Sequence, residues 1–220
     1  MIKLQLDPTK EYGIVLEGGG AKGAYQVGAW AALLEAGIKI KGIAGTSVGA
    51  LNGALMCMDD LREAEKLWDN ISWSQVMDID DTLIEQWKAR DFSSLSLHEL
   101  LAEGKRILKD RGLDITPLKQ LIERTIDEDK IFQSDKEFFV STISLSDRQP
   151  LIVNMKEVAE GEMKDMLLAS AYLPGFKRER LGGKLYADGG GANNVPVDVL
   201  ADRGYKDIIV IRIYGLGYDT

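Results

Sequence analysis

Apolar positions fall into short continuous runs separated by stretches in which they recur every three to four residues. Ile14-Val15-Leu16 is one such run; it ends at Gly18-Gly19-Gly20 and predicts a buried strand. Ala24, Val27, Ala31 and Leu34 then recur at helical spacing, with Gly37 as the expected stop. A second strand is expected from Lys41 to Ala44, broken by Gly45. Val48 to Met58 is rich in Ala, Leu and Met, which favours a helix. Strand, helix, strand, helix within about sixty residues is the pattern of a parallel α/β sheet.

The middle of the chain changes period. Asp59 to Asn70 is a helix candidate. Ser96 and Glu99 make a capping box ahead of Leu97, Leu100, Leu101, Ile107 and Leu108, with Gly104 weakening the interior. Thr116-Pro117 opens another helix, with Leu118, Leu121, Ile122 and Ile126 on one stripe. No linker composition sets this part off. Residues 59–136 are therefore expected to form a helical insertion within a single domain spanning 1–220. Strands return at Phe138 to Leu145 and Leu151 to Val153, followed by a helix from Met163 to Tyr172 ended by Pro174-Gly175. Lys184 to Ala187 reads as a short strand closed by Asp188-Gly189-Gly190-Gly191, and Ile208-Ile209-Val210-Ile211 as a buried strand.

Composition narrows the function. With 45% hydrophobic and 28% charged residues, 220 residues suit a soluble globular protein. No apolar stretch has the length of a signal peptide or a bilayer span, so a cytoplasmic location is expected, with non-classical export left open. The net charge of −8 argues against nucleic acid as a partner and against long-range attraction to anionic membranes. A single cysteine, Cys57, rules out an internal disulfide or a cysteine-rich zinc site. A single histidine, His98, rules out any mechanism or metal site that needs two.

Gly18-Gly19-Gly20-Ala21-Lys22-Gly23 sits between a predicted strand and helix and admits two readings. As G-x-G-x-x-G it fits a dinucleotide loop built on Gly18, Gly20 and Gly23, but the acid expected at the end of the second strand is missing. As a glycine turn at a helix N-terminus it offers backbone N–H groups to an oxyanion, worth about 3–4 kcal/mol per donor. Lys22 is either a solvated lysine or a group that steers a lipid phosphate.

Gly45-Thr46-Ser47-Val48-Gly49 is G-x-S-x-G between a predicted strand and helix, the setting of a nucleophile elbow. Its serine either attacks a carbonyl or merely caps the helix. The Val48 N–H is a further oxyanion donor. A serine nucleophile needs a base, and the usual late histidine is absent. Asp188, beside a strand end and ahead of three glycines, is the candidate carboxylate; its alternative is an ordinary Asp-Gly turn.

Taken in order, Gly18 to Gly23, Gly45 to Gly49 and Asp188-Gly189-Gly190 resemble the patatin-like phospholipases, the bacterial members especially. Ala169 to Phe176 and Asn194-Val195-Pro196-Val197 are softer matches. The resemblance implies a three-layer α/β/α fold with a mostly parallel sheet. It implies a Ser47–Asp188 dyad, with the N–H groups of Gly18, Gly19 and Gly20 as the oxyanion hole. It implies hydrolysis of acyl esters of phospholipids or related lipids without a metal or other cofactor, with transient contact to a membrane surface. Two other functions remain open: a dinucleotide-binding module, and a catalytically silent lipid-binding protein on the same fold.

Overall fold

A computed structural model describes residues 6–79, 81–82 and 112–215. Among these, six strands form one sheet: β1 (Glu11–Leu16), β2 (Lys39–Thr46), β3 (Glu137–Ser144), β4 (Gln149–Asn154), β5 (Tyr186–Asp188) and β6 (Ile208–Ile211). Their order is β4-β3-β2-β1-β6, and β5 also pairs with β3. β6, β1, β2 and β3 are parallel. β4 and β5 run antiparallel to β3.

The described α-helices are α1 (Ala24–Glu35), α2 (Val48–Cys57), α3 (Leu61–Asn70), α4 (Thr116–Thr125), α5 (Glu128–Gln133), α6 (Met163–Ser170) and α7 (Val197–Asp202). None is long and apolar enough to cross a membrane. Successive residues of a strand face opposite sides, so each apolar run feeds two layers. Ile14, Leu16, Ile43, Phe138 and Val140 join the main core with residues of α1, α2, α4 and α6. Val15, Ala44 and Phe139 join Leu200 of α7 in a smaller core on the other face. The result is a three-layer α/β/α arrangement with a mostly parallel central sheet: the element order predicts the parallel α/β sheet, and the family resemblance implies the three layers.

α2 shows how closely the layers meet. Nine of its ten residues are buried. Its composition is therefore apolar and small all round rather than striped. Cys57, at its end, is 1% exposed, and burial pushes its thiol above the ordinary value, as suits an inert core residue.

Several expectations need correction. Ile208 to Ile211 is not a buried strand: β6 lies at the end of the strand order, only Ile211 is buried, and Val210 is 38% exposed. The helix expected to reach Tyr172 ends at Ser170, where the backbone leaves helical geometry at Ala171. Asp188 does not follow its strand but is its last residue. The six-residue helices α5 and α7 were not foreseen; each is too short to show a helical period. Between α2 and β3 the described chain is helical, with α3, a 3-10 turn at Trp73–Gln75, α4 and α5. The helix expected from Ser96, with His98, and the chain's two ends lie outside the described residues.

Candidate active site

β2 runs into Ser47 at its C-terminal end, and α2 starts at the next residue. Ser47 has φ +55° and ψ −124°, a conformation that costs a non-glycine residue about 1–3 kcal/mol. The two flanking glycines explain how the turn is held. A Cβ on Gly45 would stand 2.4 Å from the Gly49 carbonyl oxygen, and one on Gly49 would stand 2.3 Å from the Leu16 carbonyl oxygen. Only hydrogen fits, so the first turn of α2 rests directly on the ends of β1 and β2. The Ser47 carbonyl accepts from the N–H groups of Ala50 and Leu51, while its hydroxyl makes no capping bond. The helix-cap alternative therefore leaves the hydroxyl unexplained.

The register of β3 places Asp188 beside this turn. Thr46 of β2 pairs with Ser141, and Asp188 of β5 pairs with the next residue, Thr142. β2 and β5 thus share one edge of β3 and meet with their C-terminal ends facing. The Asp188 N–H donates to the Tyr172 carbonyl at 2.9 Å. Its Oδ1 accepts from the Gly190 N–H at 2.8 Å. Oδ2 is buried and meets no hydrogen-bond partner among the described residues in good geometry. Burial pushes the carboxyl above the usual aspartate value; the nearby Ser47 hydroxyl and the Gly190 N–H pull it partly back. Gly189, packed close on the Ser141 carbonyl, opens a 3-10 turn that continues through Gly191.

The glycine loop enters the same region from β1. The Gly18 N–H is already spent: it donates to the Asn194 carbonyl at 3.2 Å, which corrects the expectation that all three glycine amides are free. The N–H groups of Gly19, Gly20 and Val48 donate to no other described backbone carbonyl outside helices and strands. Gly20 is exposed and has φ +59°, a left-handed conformation that glycine adopts at no steric cost. Gly23 closes a 3-10 turn against Val48 and Trp68 before α1 begins. The exposed Lys22 ammonium stands 3.7 Å from the centre of the Tyr214 ring, a cation–π contact.

Sequence reasoning missed the polar groups that hold this loop. Glu17 is fully buried; one oxygen accepts from Arg212 and the other from the N–H groups of Ile213 and Tyr214. Gln26 donates to the Glu17 carbonyl at 2.7 Å. Asn52 donates to the Gly23 carbonyl at 3.0 Å and to Gln26 at 2.8 Å, and accepts from the Trp68 indole at 2.9 Å. The signal available in the sequence was Asn52, a lone amide within the otherwise small and apolar α2; Gln26 lies off the apolar stripe read for α1 and gave none. Ser170 was missed as well. It is fully buried, and its hydroxyl accepts from the Ser47 N–H at 2.8 Å.

A cavity of about 690 Å3 opens onto the loop and the elbow. Gly19, Gly20, Lys22, Ser47 and Val48 line it together with Leu51 and Leu55 of α2, Leu67 and Trp68 of α3, and Leu118, Leu121 and Ile122 of α4. The wall is mostly aliphatic and aromatic, which suits a hydrocarbon chain. The helical stretch between α2 and β3 supplies much of it.

Comparison with known proteins adds four findings. The family model for patatin-like phospholipase matches residues 14–201. Neuropathy target esterase sws of Drosophila melanogaster is 27% identical over 208 residues, covering 91% of this chain and 13% of the fly protein. Lysophospholipase nte1 of Aspergillus terreus is 58% identical over 50 residues, covering 23% of this chain and 3% of the fungal protein. The chain therefore spans only a small part of the curated relatives it matches. Among solved structures, VipD from Legionella pneumophila superposes with a TM-score of 0.58 at 16% identity, covering 90% of this chain and 49% of that one. At that identity the likeness is one of fold.

Proposed function

The chain belongs to the patatin-like phospholipase family, and on that premise we propose that it is a serine lipid acyl hydrolase with Ser47 as nucleophile and Asp188 as general base. The observation that carries this reading is the meeting of β2 and β5 on adjacent residues of β3, beside an apolar cavity.

The reaction proceeds in two halves. Asp188 takes the Ser47 hydroxyl proton as Oγ attacks the ester carbonyl carbon. The carbonyl oxygen becomes an oxyanion and is held by the N–H groups of Gly19, Gly20 and Val48. The tetrahedral intermediate collapses, and the alcohol leaves with the proton from Asp188. A water molecule, giving its proton to Asp188, then attacks the acyl carbonyl carbon. The second tetrahedral intermediate collapses, the acyl–Oγ bond breaks, the fatty acid leaves, and Asp188 returns the proton to Ser47 Oγ. The burial that raises the Asp188 pKa makes it a better proton acceptor than an exposed aspartate once it is ionised. The cavity takes the acyl chain, and the substrate is a phospholipid or another lipid acyl ester. No step calls for a metal or an organic cofactor. With a net charge of −8, an encounter with a lipid surface does not depend on long-range attraction to anionic headgroups.

Hydrolysis of a monoacyl phospholipid and of p-nitrophenyl esters tests this reading. Ser47→Ala is expected to lower kcat by about 1,000-fold or more in a protein that still folds. Turnover that survives Ser47→Ala removes the serine from its role. A protein that hydrolyses nothing but binds NAD(P) would favour a dinucleotide module in its place.

A further inference from the structure

We propose that Ser170 is a positioning residue that sets the geometry of the Ser47–Asp188 pair, an inference that rests on the hydrolase reading above. Ser170 closes α6 and is fully buried. Its hydroxyl donates to the Ser141 carbonyl of β3 at 2.7 Å and accepts from the Ser47 N–H at 2.8 Å. With its proton directed at Ser141, this hydroxyl is an anchor rather than a reactant.

The same short segment also grips the base. Two residues on, the Tyr172 carbonyl accepts from the Asp188 N–H at 2.9 Å. Beside these grips, the Thr142 hydroxyl lies 3.0 Å from both the Ala169 and the Ala187 carbonyls, of the residues immediately before Ser170 and Asp188. Ser141 and Thr142 are the β3 residues that pair with Thr46 and Asp188. Nucleophile and base are thus tied to one four-residue stretch, Ala169 to Tyr172, and to one pair of strand residues.

Ser47 needs such a tie because its φ of +55° is not one a serine adopts freely. Without the Ser170 hydroxyl, its N–H and the Ser141 carbonyl lose their buried partner, and the elbow can relax. A displacement of about 1 Å at a reacting group can lower a rate about 100-fold.

The test compares Ser170→Ala, Ser170→Thr and Ser170→Cys on a soluble p-nitrophenyl ester, with rates normalised to folded protein. Ser170→Ala is expected to lower kcat about 10- to 100-fold with KM within about twofold, and to slow fluorophosphonate labelling of Ser47 in parallel. Ser170→Thr, which keeps the hydroxyl, restores most of the rate. A Ser170→Ala protein that melts earlier but turns over at the parent rate overturns the proposal, because the serine then only stabilises the fold. Should Ser170→Ala not fold, Ser170→Cys takes its place: its weakly bonding thiol is expected to lower kcat, and an unchanged kcat overturns the proposal. A parent protein that neither turns over nor labels overturns the hydrolase reading and this inference with it. An active parent with an equally active Ser170→Ala overturns this inference alone.

Discussion

Asp188 carries a conflict between stability and chemistry. Burial raises its folded pKa above that of the unfolded chain. Its favourable contribution is therefore complete below the unfolded value and is lost as pH rises through the raised folded one. At neutral pH the protein holds an ionised aspartate at a net cost, which is the state a general base requires. Asp188→Asn removes the charge and keeps an oxygen for the Gly190 N–H. It is expected to lower kcat by about 1,000-fold or more. Its melting temperature at pH 7 to 8 should exceed the parent's, and the gap should close as pH falls through the raised pKa. In the parent, activity should rise with pH on a limb whose midpoint lies above the ordinary aspartate value. A melting temperature below the parent's at neutral pH would count against the buried-charge account. Ser47 and Asp188 could be picked out as candidates from sequence because each sits in a local motif of glycines. Ser170, Glu17 and Asn52 could not, because their partners are distant: Ser170 binds a residue 123 positions away.

The elbow depends on how tightly a helix can settle on two strand ends. Glycines 45 and 49 allow that approach, and a methyl group at 49 would meet backbone rather than a side chain that can swing aside. Gly49→Ala is expected to destabilise the fold by about 3 kcal/mol, near the upper end for overpacking, and to lower activity more than in proportion to the folded fraction. Chemical denaturation beside kcat checks this; a neutral result would mean that α2 can lift from β1 without loss. β1, α1, β2 and α2 were recognisable from apolar runs, helix-forming composition and boundary glycines, although the buried face of α1 is Gln26, Val27, Trp30 and Leu33 rather than the stripe through Ala24, Val27, Ala31 and Leu34. β6 misled because four consecutive apolar residues say nothing about whether a strand is central or at an edge. The smaller core on its side of the sheet is formed by Val15, Ala44, Phe139 and Leu200, and Val210 stays exposed. The orientation of β5 was hidden for a related reason. Its three residues carry no period, and only pairing with β3 shows that it runs head-on toward β2.

Connections between distant parts of the chain assemble the site. Glu17 at the end of β1 holds Arg212, Ile213 and Tyr214 beyond β6, and Tyr214 in turn lies under Lys22 of the glycine loop. Asn194 holds Gly18 from both directions, donating to its carbonyl and accepting from its N–H. The α/β fold class followed from the order of elements, and the proposed chemistry rests on a serine elbow in a chain whose lone histidine precedes the last third. The helical insertion expected at residues 59–136 supplies α3 and α4 to the cavity wall, but how they close with α2 around it was not legible, because the three helices come from separate stretches. The most direct test of a serine hydrolase on this scaffold is reaction with a fluorophosphonate probe, followed by mass-spectrometric mapping of the adduct. The expected result is a single phosphonylated peptide carrying Ser47, formed slowly in Asp188→Asn and absent from Ser47→Ala. Folded protein that gives no adduct on Ser47, or gives it equally fast without Asp188, would contradict the mechanism.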